Sequence, residues 1–412
     1  MATQAQEVRL SASAFVDSVG ICTHLSQEQT PGARSFDRVF ELMKELGIRR
    51  LRDEAGLSVR SSRNAPTFKR IRQCVASGFS FSLICFDANS PYSYTPPSML
   101  EAIYDWCDGG VDMFEGSNEP NLATASWRQP LISKEHQMML FERIKGSERL
   151  RHIPLAGASY VQGNIGLALE QSAYCDYANI HPYAGMEHPE TKRNGSLARA
   201  VGASRRIFRD KPAVVTEIGY HIATSTTGSF FPVSQDIKTR YLPRTLLWSF
   251  KSGIVRTYLY EFVSSFPSDP ANPEASFGLI TNELEVTPAF RATKALLDLC
   301  RGSASTSGSR QPYEGAVDFL DPDSDRQSLR LERADGTTLV PVWLGIPAWR
   351  WPGGVERPPE DRTLRFRLAD ADRPVSVHRF RDNGTVEVTK ISAATGHYTA
   401  VVSDQMSVIE IG

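Results

Sequence analysis

No run of about 18 apolar residues occurs in this 412-residue chain, so no membrane-spanning helix is expected. There is no basic surplus either. The formal net charge is −1, which argues against nucleic acid as a partner, because phosphate binding needs an excess of cations. Basic pairs such as Arg49-Arg50 and Arg205-Arg206 read as solvated faces of secondary structure. Histidine is scarce, at 8 residues, and widely scattered, which speaks against a metal centre. Neither a metal nor another cofactor is expected. The six cysteines (22, 74, 85, 107, 175 and 300) show no CxxC spacing and fall mostly in apolar segments. They read as reduced core cysteines, neither a disulfide frame nor a zinc site, and point to the cytoplasm. The N-terminus lacks a basic stretch followed by an apolar one, so no signal peptide is visible; secretion would require that a leader had been removed. Nothing in the composition speaks to oligomeric state.

Apolar residues make up 41% of the chain and charged residues 23%, the balance of an ordinary globular protein. From about residue 15 to 300 strand-like and helix-like segments alternate. Strands are expected at 15–25, 48–52, 79–86, 111–117, 153–159, 177–183, after Pro212, and at 254–262. Helices are expected between them. Phe36, Val39, Phe40, Met43 and Leu46 recur at helical spacing, with Gly47 as the stop. Further helices are expected at 66–77, from Pro96 to Cys107, at 165–174 and 196–208, and from Pro288 to Cys300. Ser133 and Ser234 are placed to cap two more, the second with Pro243 inside. Eight such units predict an α/β fold of the (β/α)₈ barrel type, with a parallel sheet. An open doubly wound sheet would usually carry a GxGxxG loop after its first strand, and none is present.

At residues 301–309 the composition turns small and polar, as in a linker. Beyond it come short alternating strands. Asp335-Gly336 and Asn383-Gly384 are hairpin signals between such runs. The expected organisation is a barrel over residues 1–302 and an accessory β-sandwich over 303–412.

Barrel enzymes place their chemistry at the C-terminal ends of the strands. Read that way, strand one offers His24, strand two Arg52, and strand four Asn118 and Glu119, just before Pro120. Strand six offers His181 and Tyr183, strand seven Glu217, and strand eight Tyr260 and Glu261. A lone glutamate after a strand is usually a solvated turn residue. Two of them at one rim are what glycosidic bond cleavage requires. Glu115 lies on strand four at even spacing from Glu119 and reads as a supporting acid on the same side. Trp127, in the following loop, could stack on a sugar or cover the core; Tyr220 and His221 are weaker candidates of that kind. A metal-dependent barrel would want His-x-His on strand one and Asp on strand eight, which are absent.

These motifs resemble those of the clan A barrel glycoside hydrolases that act with retention. Asn118-Glu119-Pro120 resembles the clan's acid/base signature and Glu217 its nucleophile. His181, Tyr183 and Arg52 resemble its partners on strands six and two. The last unit, Phe277-Gly278-Leu279-Ile280 with Thr287-Pro288-Ala289-Phe290, is similar too, and with the trailing sandwich the layout is nearest family 39. The resemblance implies a carbohydrate substrate and double displacement. Glu217 would attack while ionised, held so by Arg52. Glu119 would start protonated, and Asn118 would bond the sugar 2-hydroxyl. Of the other rim residues, Tyr260 is a candidate sugar contact, His24 is a packed histidine or a sugar contact, and Glu261 pairs with a basic residue or contacts the sugar. The rival reading is a non-catalytic carbohydrate-binding protein on the same scaffold.

Overall fold

The computed structural model describes residues 9–55, 62–122, 128–161, 166, 168–227, 231–302, 311–350, 354–370 and 372–412. Its centre is a parallel sheet whose strands follow one another around a ring. Strands one to four are Val19–Cys22, Arg50–Glu54, Ser80–Ile84 and Val111–Glu115; strands six to eight are Ala178–His181, Ala213–Ile218 and Thr257–Leu259. The fifth strand is split. Leu155–Ala156 pairs with strand four, Tyr160–Val161 pairs with strand six, and a bridge from Ala156 to Tyr177 closes the ring. Gly157 makes the break: a Cβ there would lie 2.2 Å from the Phe208 ring, so helix and strand touch backbone to ring. The expected (β/α)₈ barrel is the observed one. Strand seven is buried at every residue, as strands covered on both faces are.

The helices follow their sequence cues where an apolar stripe and a stop coincide. Phe36–Leu46 buries Phe36, Val39, Phe40, Leu42, Met43 and Leu46 and ends at Gly47, whose φ of 80° suits glycine. Burying each large side chain contributes about 1.5–3 kcal/mol, so this face alone fixes the helix on the sheet. Three expectations fail. Residues 15–17, expected in strand one, belong to the helix Ala12–Asp17, capped by the Ser11 hydroxyl, because Ala12 and Phe15 are buried on one helical face. Among the described residues of 165–174 the stretch 168–171 is not helical and Ser172–Tyr174 is a 3₁₀ turn; Gln171 donates its backbone N–H to Ile207 O and its side chain to the Tyr160 hydroxyl, and these bonds replace helical ones. Ser133 is no cap. Its helix, Gln129–Gly146, starts a turn earlier, where Pro130 fits the first turn.

The C-terminal part is antiparallel, and strands Val375–Phe380, Val386–Ile391, Tyr398–Val402 and Ser407–Ile411 fall where alternation places them. Two sheets enclose an apolar core that includes Val340, Val342, Phe366, Tyr398 and Ile409. The larger sheet also takes Arg9–Ser11, paired in parallel with Arg330–Glu332. Residues 9–11 thus belong to the sandwich sheet although they precede the barrel strands, which the division at residue 302 does not anticipate. Sandwich residues Trp343, Phe380, Met406 and Val408 join the barrel's own core cluster. All six cysteines are free and buried. Among the described residues no helix is long and apolar enough to cross a membrane.

Candidate active site

Register decides which side chains meet at the rim. Strand pairing sets Cys22 beside Arg52 and Arg52 beside Ser82, with Glu115 beside Ile84 one residue pair higher. Arg52 is only 3% exposed, and a buried guanidinium is costly unless every donor is met. Its Nε donates to both Glu115 oxygens at 3.1 and 2.9 Å, Nη1 to Glu217 Oε1 at 2.5 Å, and Nη2 to Asn118 Oδ1 at 2.8 Å. One cation therefore ties strands two, four and seven together. Ser82 donates to Glu115 at 2.5 Å. Glu115 thus lies below the cavity as the anion that holds Arg52.

Glu217 also accepts from the Tyr183 hydroxyl at 2.8 Å. Burial works to raise its pKa, but the charges of His181 and Arg52, with the hydrogen bonds from Arg52 and Tyr183, more than offset this and hold it below the usual carboxylate range. Burial pushes the Tyr183 phenol well up, so it keeps its proton for that bond.

Glu119 sits past the strand's end with a φ of 44°, which the regular alternation from Glu115 cannot describe. Its backbone N–H donates to the Ser159 hydroxyl at 3.1 Å. Its carboxyl lies 2.6 Å from His181 Nδ1, and the same nitrogen is 3.6 Å from Glu217. One oxygen of Glu119, one nitrogen of His181 and one oxygen of Glu217 all fall within 4.8 Å of one another.

The protonation pattern follows from donors that have only one role. The Asn179 amide donates to Glu115, which only accepts, at 3.4 Å, so its oxygen faces Thr216 and accepts that hydroxyl at 2.7 Å. Thr216, its proton spent, accepts from His181 Nε2–H at 2.9 Å. Nδ1 is left facing Glu119, and one proton lies between imidazole and carboxyl. By the same logic the Asn118 oxygen is taken by Arg52 and by the Ser159 hydroxyl at 3.3 Å, which leaves its NH₂ for another acceptor.

These groups open into a cavity of about 1460 Å³ that is lined by Asn118, Glu119, His181, Tyr183, Arg52, Glu217, Tyr260 and His24, among others. Eight of the nine rim residues read from the strand ends therefore share one space. Glu261 is not on its wall. It is buried behind it, 2.9 Å from His24 Nδ1, and accepts from Ser265 at 2.8 Å, so of its two readings the pairing with a basic residue is the one present. Burial would lower the His24 pKa, but the bond and charge of Glu261 lift it to about 9. Trp127 lies outside the described residues. Tyr220 is buried, donating to Glu187 O, and neither it nor His221 is on the cavity wall.

The sequence reading missed Ser82, Ser159, Asn179 and Thr216. Asn179 was findable, being two residues before His181 and so on its face of the strand. It also missed Glu274, whose pKa is pushed up to about 7 chiefly by burial and which accepts from the Tyr260 hydroxyl at 2.8 Å. Glu119, His181 and Glu217 are a possible three-donor metal set, but the Arg52 guanidinium already supplies positive charge at Glu217 and would repel a cation.

No protein-family model matches the chain, and no curated protein matches its sequence. Solved structures do match its fold. A family 39 glycoside hydrolase from the gut symbiont Bacteroides cellulosilyticus aligns over 99% of this chain and 83% of its own, with a TM-score of 0.66 and 17% identity. A family 51 α-L-arabinofuranosidase from Bifidobacterium longum aligns over 100% and 98%, with a TM-score of 0.60 and 11% identity. A family 30 xylanase from Clostridium acetobutylicum aligns over 99% and 97%, with a TM-score of 0.56 and 12% identity. The barrel-plus-sandwich fold of this chain is the fold of these glycoside hydrolases, and the likeness to family 39 read from the motifs is met by it.

Proposed function

We propose that the protein is a retaining glycoside hydrolase. The observation that carries this reading is the approach of Glu119 and Glu217 to within 4.8 Å, with Arg52 on the second and not the first. Retaining enzymes hold their carboxyls about 5–5.5 Å apart, whereas inverting ones need about 6.5–9.5 Å to admit a water. Glu217, ionised, attacks the anomeric carbon. The bond to the leaving oxygen breaks and that oxygen takes the proton from Glu119. A water then enters, gives its proton back to Glu119 and displaces Glu217 from the sugar. His181, with Nε2–H anchored on Thr216, keeps Nδ1 on Glu119 throughout and shares its proton. The Asn118 NH₂ donates to the sugar 2-hydroxyl, a contact that strengthens in the transition state.

The substrate is an O-linked oligo- or polysaccharide. The structures sharing the fold include a xylanase and an arabinofuranosidase, so the framework serves different sugars and the cavity walls choose among them. The test is turnover of a panel of α- and β-aryl glycosides by the wild type and by Glu217→Ala. The expected result is hydrolysis of at least one member by the wild type only; equal background rates for both proteins would sink the proposal.

A further inference from the structure

The cavity is unevenly charged. Strand two brings Asp53 and Glu54 to its rim, and the loop after strand eight brings Glu274. Strand six lies across the barrel from strand two; the loop that follows it brings Lys192 and Arg193 to the same cavity, and the first turn of the next helix, Leu197–Phe208, brings Arg199.

The two walls differ in how their charges are met. Asp53 accepts from the Thr23 hydroxyl and from the backbone N–H groups of Leu25, Ser26 and Glu54. Glu54 is held by Ser26 and Gln27, and Glu274 by Tyr260. Asp53 and Glu54 have donors on both carboxylate oxygens from the protein itself, while Glu274 has one bond on one oxygen. On the basic wall only Arg193 has a carboxylate, Glu187 at 2.7 Å. Arg199 donates to the neutral Asn194 oxygen at 2.5 Å, and among the described residues neither Arg199 nor Lys192 makes an ion pair. Like charges gathered on a concave wall repel one another, and in a cleft their field is focused.

The loop is also anchored to the reacting groups. Gly195, with φ +80°, packs so closely on Tyr183 that a Cβ would lie 2.1 Å from the Tyr183 carbonyl oxygen. Tyr183 in turn donates to Glu217. The cations are thus mounted on the segment that holds the proposed nucleophile's partner.

Resting on the glycosidase reading, we infer that the glycan cleaved here is anionic, with a uronate carboxylate or a sulfate ester seated against Lys192 and Arg199. The neutral hydroxyls of the same sugar face the acidic wall. Both oxyanions present acceptors alone, and the two exposed side chains present donors alone, so either anion gives these cations the charged partner that a neutral sugar lacks.

The experiment compares matched pairs: aryl glucosides with glucuronides, galactosides with galacturonides, and each neutral sugar with its 6-sulfate, at ionic strengths of about 0.02 and 0.5 M, which span strong and weak screening. The anionic partner is expected to have the higher kcat/KM, through KM, with the advantage shrinking in high salt. The uronate and sulfate arms name the anion. In the double variant Lys192→Ala/Arg199→Ala the ratio of anionic to neutral kcat/KM should fall about tenfold, a few-fold for each partly exposed cation. A neutral partner turned over as well as its anionic match, or a ratio unmoved in the variant, overturns the inference. If the wild type turns over nothing, the catalytic reading fails by itself. Calorimetric titration of the same wild type with neutral and uronate-bearing or sulfated oligosaccharides then decides the charge question. Salt-sensitive binding of an anionic one, lost in the double variant, upholds it, and equal or absent binding overturns it.

Discussion

Two of the buried arginines that hold glutamates, Arg52 and Arg244, differ in whether a partner faces open space. Arg244 lies where the barrel meets the sandwich. It grips Glu190 with Nε at 3.1 Å and also with Nη2, and donates Nη1 to Asp404 O at 3.1 Å. Glu190 also accepts from the Trp343 indole at 2.5 Å and faces His188 Nδ1 at 2.9 Å. Every charge there is closed off, and the cluster joins two units of the fold. Arg52 is as buried and as fully bonded, but its partners Glu217 and Asn118 line the cavity. The same chemistry serves cohesion in one place and turns a carboxylate toward the cavity in the other. What separates them is whether a partner has a face left for a ligand.

That contrast is sharpest for the partner glutamates. Glu217→Ala should lower kcat by about 10⁴-fold or more, as loss of an attacking group does, with a smaller fall in the unfolding midpoint than Glu190→Ala causes, because Arg52 borders the cavity and water can reach the donor left free. Rate assays beside thermal melts check both halves. Glu119→Gln comes next: a loss of about 10²–10⁴-fold on substrates with poor leaving groups, and much less on activated aryl glycosides, because general acid help matters only where the departing oxygen needs a proton. Glu190→Ala should do the reverse. It strands Arg244 in the core and should cost about 3–5 kcal/mol of stability in denaturant titrations, with kcat per folded molecule kept. A large loss of kcat in folded Glu190→Ala would break the comparison.

The pH dependence has a definite sign at the junction. Burial works to raise the Glu190 pKa, but the charge of Arg244 and the bonds from His188 and Arg244 bring it down to about 2. A carboxylate so depressed stabilises the fold fully above its unfolded pKa of about 4.3, and the contribution fades as pH falls toward the folded value. Chemical denaturation should therefore show a loss of about 3 kcal/mol between about pH 5 and 2 that is absent in Glu190→Gln. The smallest effect belongs to Thr216→Val. Without its hydroxyl His181 Nε2 loses its acceptor, and kcat should fall about tenfold with a shifted basic limb of the pH–rate profile, the size of one buried hydrogen bond.

Much of the site was legible because parallel barrel strands announce their ends. Glu217 closes an apolar run and Glu119 stands before a proline, and such patterns survive any error in helix boundaries. Ser159 and Thr216 were not legible, since small hydroxyl residues are common in strands and only the three-dimensional register shows which one meets Glu119 or His181. Lys192, between strand and helix, and Arg199, in the expected helix 196–208, carried no sign of lining the cavity, because a rim position depends on how the segment folds back on Tyr183. In the fold, residues 15–17 misled because an apolar helix turn runs straight into an apolar strand, and periodicity over so few residues does not separate them. Arg9–Ser11 could not be placed from its own sequence, since its pairing with Arg330–Glu332 is a contact across most of the chain.

The central claim is that Glu119 and Glu217 act by double displacement. It is tested most directly by following the anomeric proton signals of the first product released from a substrate of known configuration, before mutarotation. The account predicts that the first-formed sugar keeps the substrate's configuration; a first-formed sugar of the opposite configuration would contradict it.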